Sequence, residues 1–311
     1  MAYVMGVLCS GRSRGYTASL LAEMLEGARS VEGVETEVVQ LHKYRFGPCT
    51  SCFACIRNPG SGCTLNDDMG QKGDGALWRK VRQANGLIIA DPVHGWGPSA
   101  GAHVFWERFY PFLWTGEMIG LPYATVSCAS NQGFQGAAYR EMCKWAFCSG
   151  FRYVGGFGLH CTEIKSTLPK LRELGRQVGV AAVRDATEGR QKYANDVERY
   201  EVFQDKPWSV VEPYLDNLTN GTRAYEGSLI CMGLEGGVFE TPEGRENLAK
   251  ARPYLISALE EYKAGNVSAA IRDLEHASAF WTTATWKEFL EGNVIGAAQP
   301  KAYRPLPADE E

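Results

Sequence analysis

Residues 3–9, Tyr3-Val4-Met5-Gly6-Val7-Leu8-Cys9, run straight into Ser10-Gly11-Arg12-Ser13-Arg14-Gly15-Tyr16-Thr17 and then into Ala18-Ser19-Leu20-Leu21-Ala22-Glu23-Met24-Leu25. The first segment is a short continuous apolar run, which reads as a strand buried on both faces. In the third, Leu20, Leu21, Met24 and Leu25 recur at helical spacing, with Thr17 placed to cap the start. Strand, polar loop and helix make one βα unit, and the pattern repeats outward from it. Further strands are expected at 34–41, 86–92, 121–127 and 153–160. Helices are expected at about 74–85, 99–113, 134–148 and 166–189. Five strands alternating with helices predict an α/β fold: a doubly wound, five-stranded parallel sheet of order 2-1-3-4-5, occupying residues 1–190.

The chain has 311 residues, about two domains' worth. Its 45% hydrophobic and 22% charged residues exclude wholesale disorder. A net charge of −4 gives no support to a sequence-independent nucleic-acid binder. The most apolar tract, 109–129, is interrupted by Pro111, Glu117 and Pro122, so no membrane span is expected. Met1 to Met5 carry no basic stretch of the signal-peptide kind, and a cytoplasmic location is expected. Residues 191–311 change character and predict a mainly helical extension. Thr241-Pro242-Glu243 reads as an N-cap, a first-turn proline and an acidic first turn. Leu248, Leu255, Leu259 and Tyr262 continue one stripe that Pro253 should kink, and a second helix is expected at about 267–290. The aromatic side chains of this extension (Trp208, Tyr214, Tyr254, Trp281, Trp286) suit a substrate lid or an oligomer interface equally. Residues 305–311 read as a frayed tail.

Three loops at the carboxyl ends of the strands carry the chemistry. Ser10 to Thr17 joins the first strand to a helix N-terminus, where unpaired N–H groups and the positive dipole end favour an anion. Its spacing fits neither GxGxxG nor GxxxxGK[ST], which leaves a monophosphate cradle of the kind that holds FMN, or an ordinary polar loop. In this strand order, ligands bind at the switch point between strands one and three. Pro92, Val93, His94, Gly95 and Trp96 would then face the cradle, with Ser127, Cys128, Ser130 and Gly133 as a third wall. Trp96 read alone is as well explained as a packed aromatic.

Ten cysteines are present, and four of them, Cys49, Cys52, Cys55 and Cys63, read C-x2-C-x2-C-x7-C. Three thiols at x2 spacing suit an iron–sulfur cubane better than zinc, whose sites more often use two separated pairs; free thiols are the third reading. Gly60 and Gly62 give the backbone freedom to fold back before Cys63. Asp67 and Asp68 are expected to cap the next helix. His42, His160 and His276 are expected to be structural, and Cys143 and Cys148 to be buried small hydrophobes.

SGRSRGYTASLL, PCTSCFACIRNPGSGCTLNDDM and ADPVHGWGPSAGAHVFWER, in this order and spacing, resemble the flavodoxin-like NADPH-dependent FMN reductase superfamily, and within it the iron-sulfur flavoproteins. The resemblance covers residues 3–160. It implies that Ser10, Arg12, Gly15, Tyr16 and Thr17 surround an FMN phosphate, that Pro92 to Trp96 follow the isoalloxazine, and that 127–133 closes the far side. It also implies a [4Fe–4S] cluster on Cys49, Cys52, Cys55 and Cys63, a homodimer or homotetramer, and a ferredoxin-like or NAD(P)H donor. A small-molecule acceptor would take the electrons, and His94 is the candidate proton donor. Cys9, Tyr16, His94 and His103 stand where such proteins usually have glycine, asparagine, tyrosine and lysine. Two other expectations stay open: a cluster-free NAD(P)H-dependent FMN or quinone reductase, and a zinc-stabilised flavodoxin-like binding module.

Overall fold

Strand β1 (Ala2–Leu8) leads through the 9–15 loop into helix α1 (Tyr16–Arg29), the unit expected from its apolar run and helical stripe. Strand β2 (Val34–Gln40) precedes the cysteine loop, which holds the short α2 (Ala54–Arg57), and α3 (Ala76–Gln83) follows. Strand β3 (Gly86–His94) turns back as β4 (Gly97–Pro98) before α4 (Ala100–Glu107) and α5 (Tyr110–Thr115). Strand β5 (Pro122–Ala129), α6 (Gln135–Cys148), β6 (Arg152–His160) and α7 (Ile164–Glu188) complete the unit. This computed structural model describes residues 1–131 and 133–295.

The sheet is parallel in the order β2-β1-β3-β5-β6, with β4 antiparallel on β3. It is the flavodoxin-like doubly wound topology, with six strands rather than five. The extra strand arises within HGWGPSA. Gly95 and Trp96 both adopt positive φ (56° and 66°), the two-residue turn that matches strand twist, so Val93 pairs with Pro98 and His94 with Gly97.

Strand side chains alternate between two helical layers. Val4, Leu8, Ile88, Ala90, Ala124 and Val126 pack with Leu20, Leu21 and Met24 of α1 and with Leu171, Leu174 and Val178 of α7. On the opposite face, Thr125 and Tyr123 address Met142 of α6. The two helices α1 and α7 come close enough to demand glycine. A Cβ on Gly175 would lie 1.8 Å from the Met24 carbonyl oxygen, and one on Gly27 1.8 Å from that of Arg172.

Local chemistry revises several expectations: Cys143 is buried, but Cys148, the last residue of α6, is exposed. The helix at 99–113 is broken between Glu107 and Tyr110, because Pro111 begins a new helix and cannot extend the old one. Gly15, not Thr17, occupies the N-cap of α1. Gly75 precedes α3 with no side-chain cap, so neither Asp67 nor Asp68 caps it by side chain; the Asp68 backbone carbonyl accepts from Leu77 and Trp78 instead. His160 opens a capping box with Glu163, and its ring bonds Thr162 and the Asn131 carbonyl, a structural role.

The chain divides into Met1–Lys192 and a second compact unit from Tyr193. Among its described residues the second unit is helical: α8 (Asp196–Gln204), α9 (Val211–Leu218), α10 (Leu229–Glu235), α11 (Pro242–Lys263), α12 (Val267–Thr285) and a π-helical segment, Trp286–Ile295. Thr241 caps α11 by accepting the Gly244 N–H, and the helix runs on through Pro253 without ending there. Leu248 and Leu255 of α11 and Ile271, Leu274 and Phe280 of α12 are buried. The tail at 305–311 lies outside the described residues. Among those residues, no helix is long and apolar enough to cross a membrane.

Candidate functional site

Doubly wound sheets open a crevice where neighbouring crossovers leave to opposite faces, beyond the carboxyl ends of the central strands. Here a cleft of about 120 Å³ occupies that place, lined by Ser10, Arg12, Gly15, Tyr16, Thr17, Ala18, Pro92, Val93, His94, Cys128 and Ser130. The loop after β1 supplies one side. Its helix α1 starts on Gly15, at φ 146° and without any side-chain cap, so the first-turn N–H groups are left for an anionic ligand or water. Ser10, Thr17 and Arg12 line the same cleft, two hydroxyls and a guanidinium whose chemistry suits an anion. Gln40 Nε2 donates to the Ser10 and Gly11 carbonyls (3.0 and 3.1 Å), fixing the loop from β2.

The far wall rests on a buried carboxylate. Asp91, fully buried within β3, accepts the Ser99 N–H (2.9 Å) and the Ser99 hydroxyl (2.5 Å), and so anchors the hairpin to the start of α4. Burial pushes its carboxyl up to about 6, although the Ser99 and Cys9 hydrogen bonds oppose the rise. The Cys128 thiol, on the cleft wall, is pushed up to about 11 by burial and by the neighbouring Cys161.

Of the cofactor residues expected from sequence, Ser10, Arg12, Gly15, Tyr16, Thr17, Pro92, Val93, His94, Cys128 and Ser130 come together on this cleft. Gly95, Trp96, Ser127 and Gly133 stand outside its walls. Trp96, 60% exposed at the hairpin tip, stacks on Phe134 with ring centroids 4.8 Å apart. Ser127 is buried, and its hydroxyl donates to the Gln135 carbonyl, facing α6.

The cysteine loop gathers its four thiols into one neighbourhood. Burial, and then the proximity of Cys63, Cys49 and Cys52, pushes the Cys55 thiol up to about 12. The Ala54 N–H holds Cys52 below the usual thiol range, with Thr64 and Thr50 contributing, and Ser51 N–H donates to Cys49 Sγ (3.4 Å). Ser51 and Phe53 adopt positive φ (51° and 54°), strained conformations that recur in functional loops. At Gly62 a Cβ would meet the Gly73 nitrogen at 2.7 Å, so glycine is required before Cys63. Among the described residues, no three Cys, His, Asp or Glu side chains form a closed metal site. The donor set itself suits iron–sulfur ligation: four thiols on one loop, with N–H donors to sulfur.

Sequence reasoning missed Arg108. Its side chain is 1% exposed, and it donates to both Asp67 oxygens (2.6 and 2.8 Å), to Cys63 Sγ (3.3 Å) and to the Gly47 carbonyl (2.8 Å). Burial favours protonation of Asp67, but Arg108 overrides it and holds the carboxyl below its usual range. An arginine following the apolar run Val104-Phe105-Trp106 after a single acidic residue, Glu107, was the available signal.

An α/β doubly wound protein with a phosphate-type cradle at its switch point belongs to the flavodoxin-like class. The profile of the NADPH-dependent FMN reductases matches residues 2–159, and the chain belongs to that family of flavin-dependent oxidoreductases. An iron-sulfur flavoprotein of Methanocaldococcus jannaschii is 32% identical over 108 residues, covering 35% of this chain and 52% of that protein. One from Archaeoglobus fulgidus is 25% identical over 182 residues, 57% of this chain and 79% of the relative. The match thus spans about half the length of the first relative. Among solved structures, a flavone reductase aligns at 17% identity over 61% of this chain and 66% of its own, with a TM-score of 0.45. A two-electron reduced Megasphaera elsdenii flavodoxin aligns at 13% over 57% and 98%, with a TM-score of 0.38.

Proposed function

We propose that this protein is an FMN-dependent oxidoreductase of the iron-sulfur flavoprotein kind, passing electrons between a [4Fe–4S] cluster and FMN to a small acceptor. A ferredoxin-like protein or NAD(P)H would be the donor. The observation that carries the proposal is the convergence of ten expected residues from three separate loops on one cleft at the switch point. FMN bound there supplies hydride and single-electron chemistry. Arg12, Ser10, Thr17 and the uncapped start of α1 would hold its phosphate, Pro92 and Val93 would flank its ring system, and His94 would hold a proton at the cleft mouth. Cys49, Cys52, Cys55 and Cys63 would hold the cluster, which supplies one-electron transfer.

An anaerobic absorption spectrum with iron, sulfide and zinc analysis tests this. Flavin bands with about four irons and four sulfides per chain are expected. Zinc without flavin would sink it. A second reading, the cluster-free NAD(P)H-dependent reductase, is favoured by one observation: Cys49 and Cys52 are exposed and the four thiols are not closed on a common point. Rapid NAD(P)H oxidation by metal-free protein would select it.

A further inference from the structure

The C-terminal end of α4 addresses the cysteine loop at both of its ends. Glu107 accepts the Cys49 N–H (3.2 Å), at the first cysteine of the run. Its neighbour Arg108 reaches the Gly47 carbonyl before that cysteine, and Cys63 Sγ and Asp67 after the loop has returned. Two consecutive residues therefore pin the start and finish of a 15-residue excursion, from Cys49 to Cys63, that has little regular structure of its own.

Stability alone is a poor account of this arrangement. A buried ion pair is often no better than well-packed apolar groups of similar volume, because desolvation offsets the Coulomb gain. Arg108 adds to that cost, since among the described residues its Nε is buried with no hydrogen-bond partner. What the guanidinium does supply is planar, multi-point geometry that lysine cannot reproduce. Hydrogen bonds to ligand sulfurs are also one of the few levers by which a protein tunes an iron–sulfur centre.

We propose that Arg108, oriented by Asp67, is a positioning residue for the cysteine loop: it closes the loop and holds Cys63 Sγ at its ligand position through the Nη2–H···S bond. Glu107 fixes the other end of the loop, its carboxylate accepting the Cys49 N–H. Ser99 begins the same helix and is bonded to Asp91 beneath the flavin cleft, so α4, about 12 Å long, ties the framework of one site to that of the other. The claim about the cluster rests on the function proposed above; the claim about the loop does not.

The test is Arg108→Lys and Arg108→Gln in the full chain, with Asp67→Asn as a milder variant that keeps the arginine. In metal-free protein, hydrogen exchange is read at the amides that tie the loop down, Lys72 N–H to the Cys63 carbonyl and Asp68 N–H to the Arg45 carbonyl. Exchange should quicken by at least about tenfold in both Arg108 variants, and less in Asp67→Asn, while amides of β3 and β5 hold their rates. After anaerobic reconstitution, any cluster retained by Arg108→Gln should titrate at a lower potential, since a positive N–H···S donor has gone, with the flavin potential unmoved. Unchanged loop exchange overturns the proposal outright. Unchanged exchange at Asp67→Asn alone overturns the orienting role of Asp67. If wild-type protein takes up no iron, the cluster reading falls, and the exchange rates alone decide whether Arg108 closes the loop. Full iron and sulfide at an unchanged potential in Arg108→Gln would overturn the tuning of Cys63.

Discussion

Replacing Asp91 with asparagine isolates the cost of keeping a buried carboxylate beside the switch-point cleft. Asparagine can satisfy the same partners, its Oδ1 accepting the Ser99 N–H and its Nδ2 donating to the Ser99 hydroxyl, so the change is chiefly one of charge. In the folded protein the Asp91 carboxyl titrates at about 6 rather than 3.8. At 1.36 kcal/mol per pH unit, that difference corresponds to about 3 kcal/mol. The sign follows from proton binding. Between pH 4 and 6 the folded state holds a proton that the unfolded state has released, so raising the pH favours unfolding. The stability linked to Asp91 is fully present below about pH 4, is lost as pH rises through 6, and stays lost above it. Urea unfolding from pH 4 to 8 should therefore show wild type losing about 2.4 kcal/mol relative to Asp91→Asn between pH 4 and 7. Taking the difference removes the titration of every other group. Parallel curves for the two proteins would show that Asp91 is not a strained, buried acid.

Gly175→Ala sets a gain of about 1 kcal/mol in helix propensity against a Cβ placed 1.8 Å from the Met24 carbonyl oxygen. Overpacking should win by about 1–3 kcal/mol, lowering the thermal midpoint, and a stabilised variant would contradict the close α1–α7 approach. Arg12→Ala should weaken FMN binding at least about tenfold in a fluorescence titration, as expected for losing a hydrogen bond to a charged group. An unchanged affinity would place the phosphate elsewhere. Cys52→Ala should lose iron and sulfide on reconstitution while retaining flavin; a variant with full iron would remove Cys52 from the ligand set.

The parallel α/β class, the order of its units and most of the cleft were legible from the chain alone, because their signals are local. An apolar run of seven residues, a 3.6-residue stripe and a polar, glycine-bearing loop between them each specify one element, and the switch-point rule then brings the loops together. The same locality explains what went unseen. The β4 hairpin depends on Trp96 accepting positive φ, a conformation its side chain disfavours and that pairing with β3 and stacking on Phe134 offset. Asp67 reads as a helix cap because acidic residues before helices usually are; its real partner, Arg108, lies 41 residues away. Ser127 belongs to the right strand, but the pleat turns it toward α6. Sequence determined which loops would meet and which residue types they carry. Only the tertiary structure decided which side chains face the cleft, and which distant arginine closes the cysteine loop, because those choices rest on alternation across the sheet and on contacts between residues far apart in the chain.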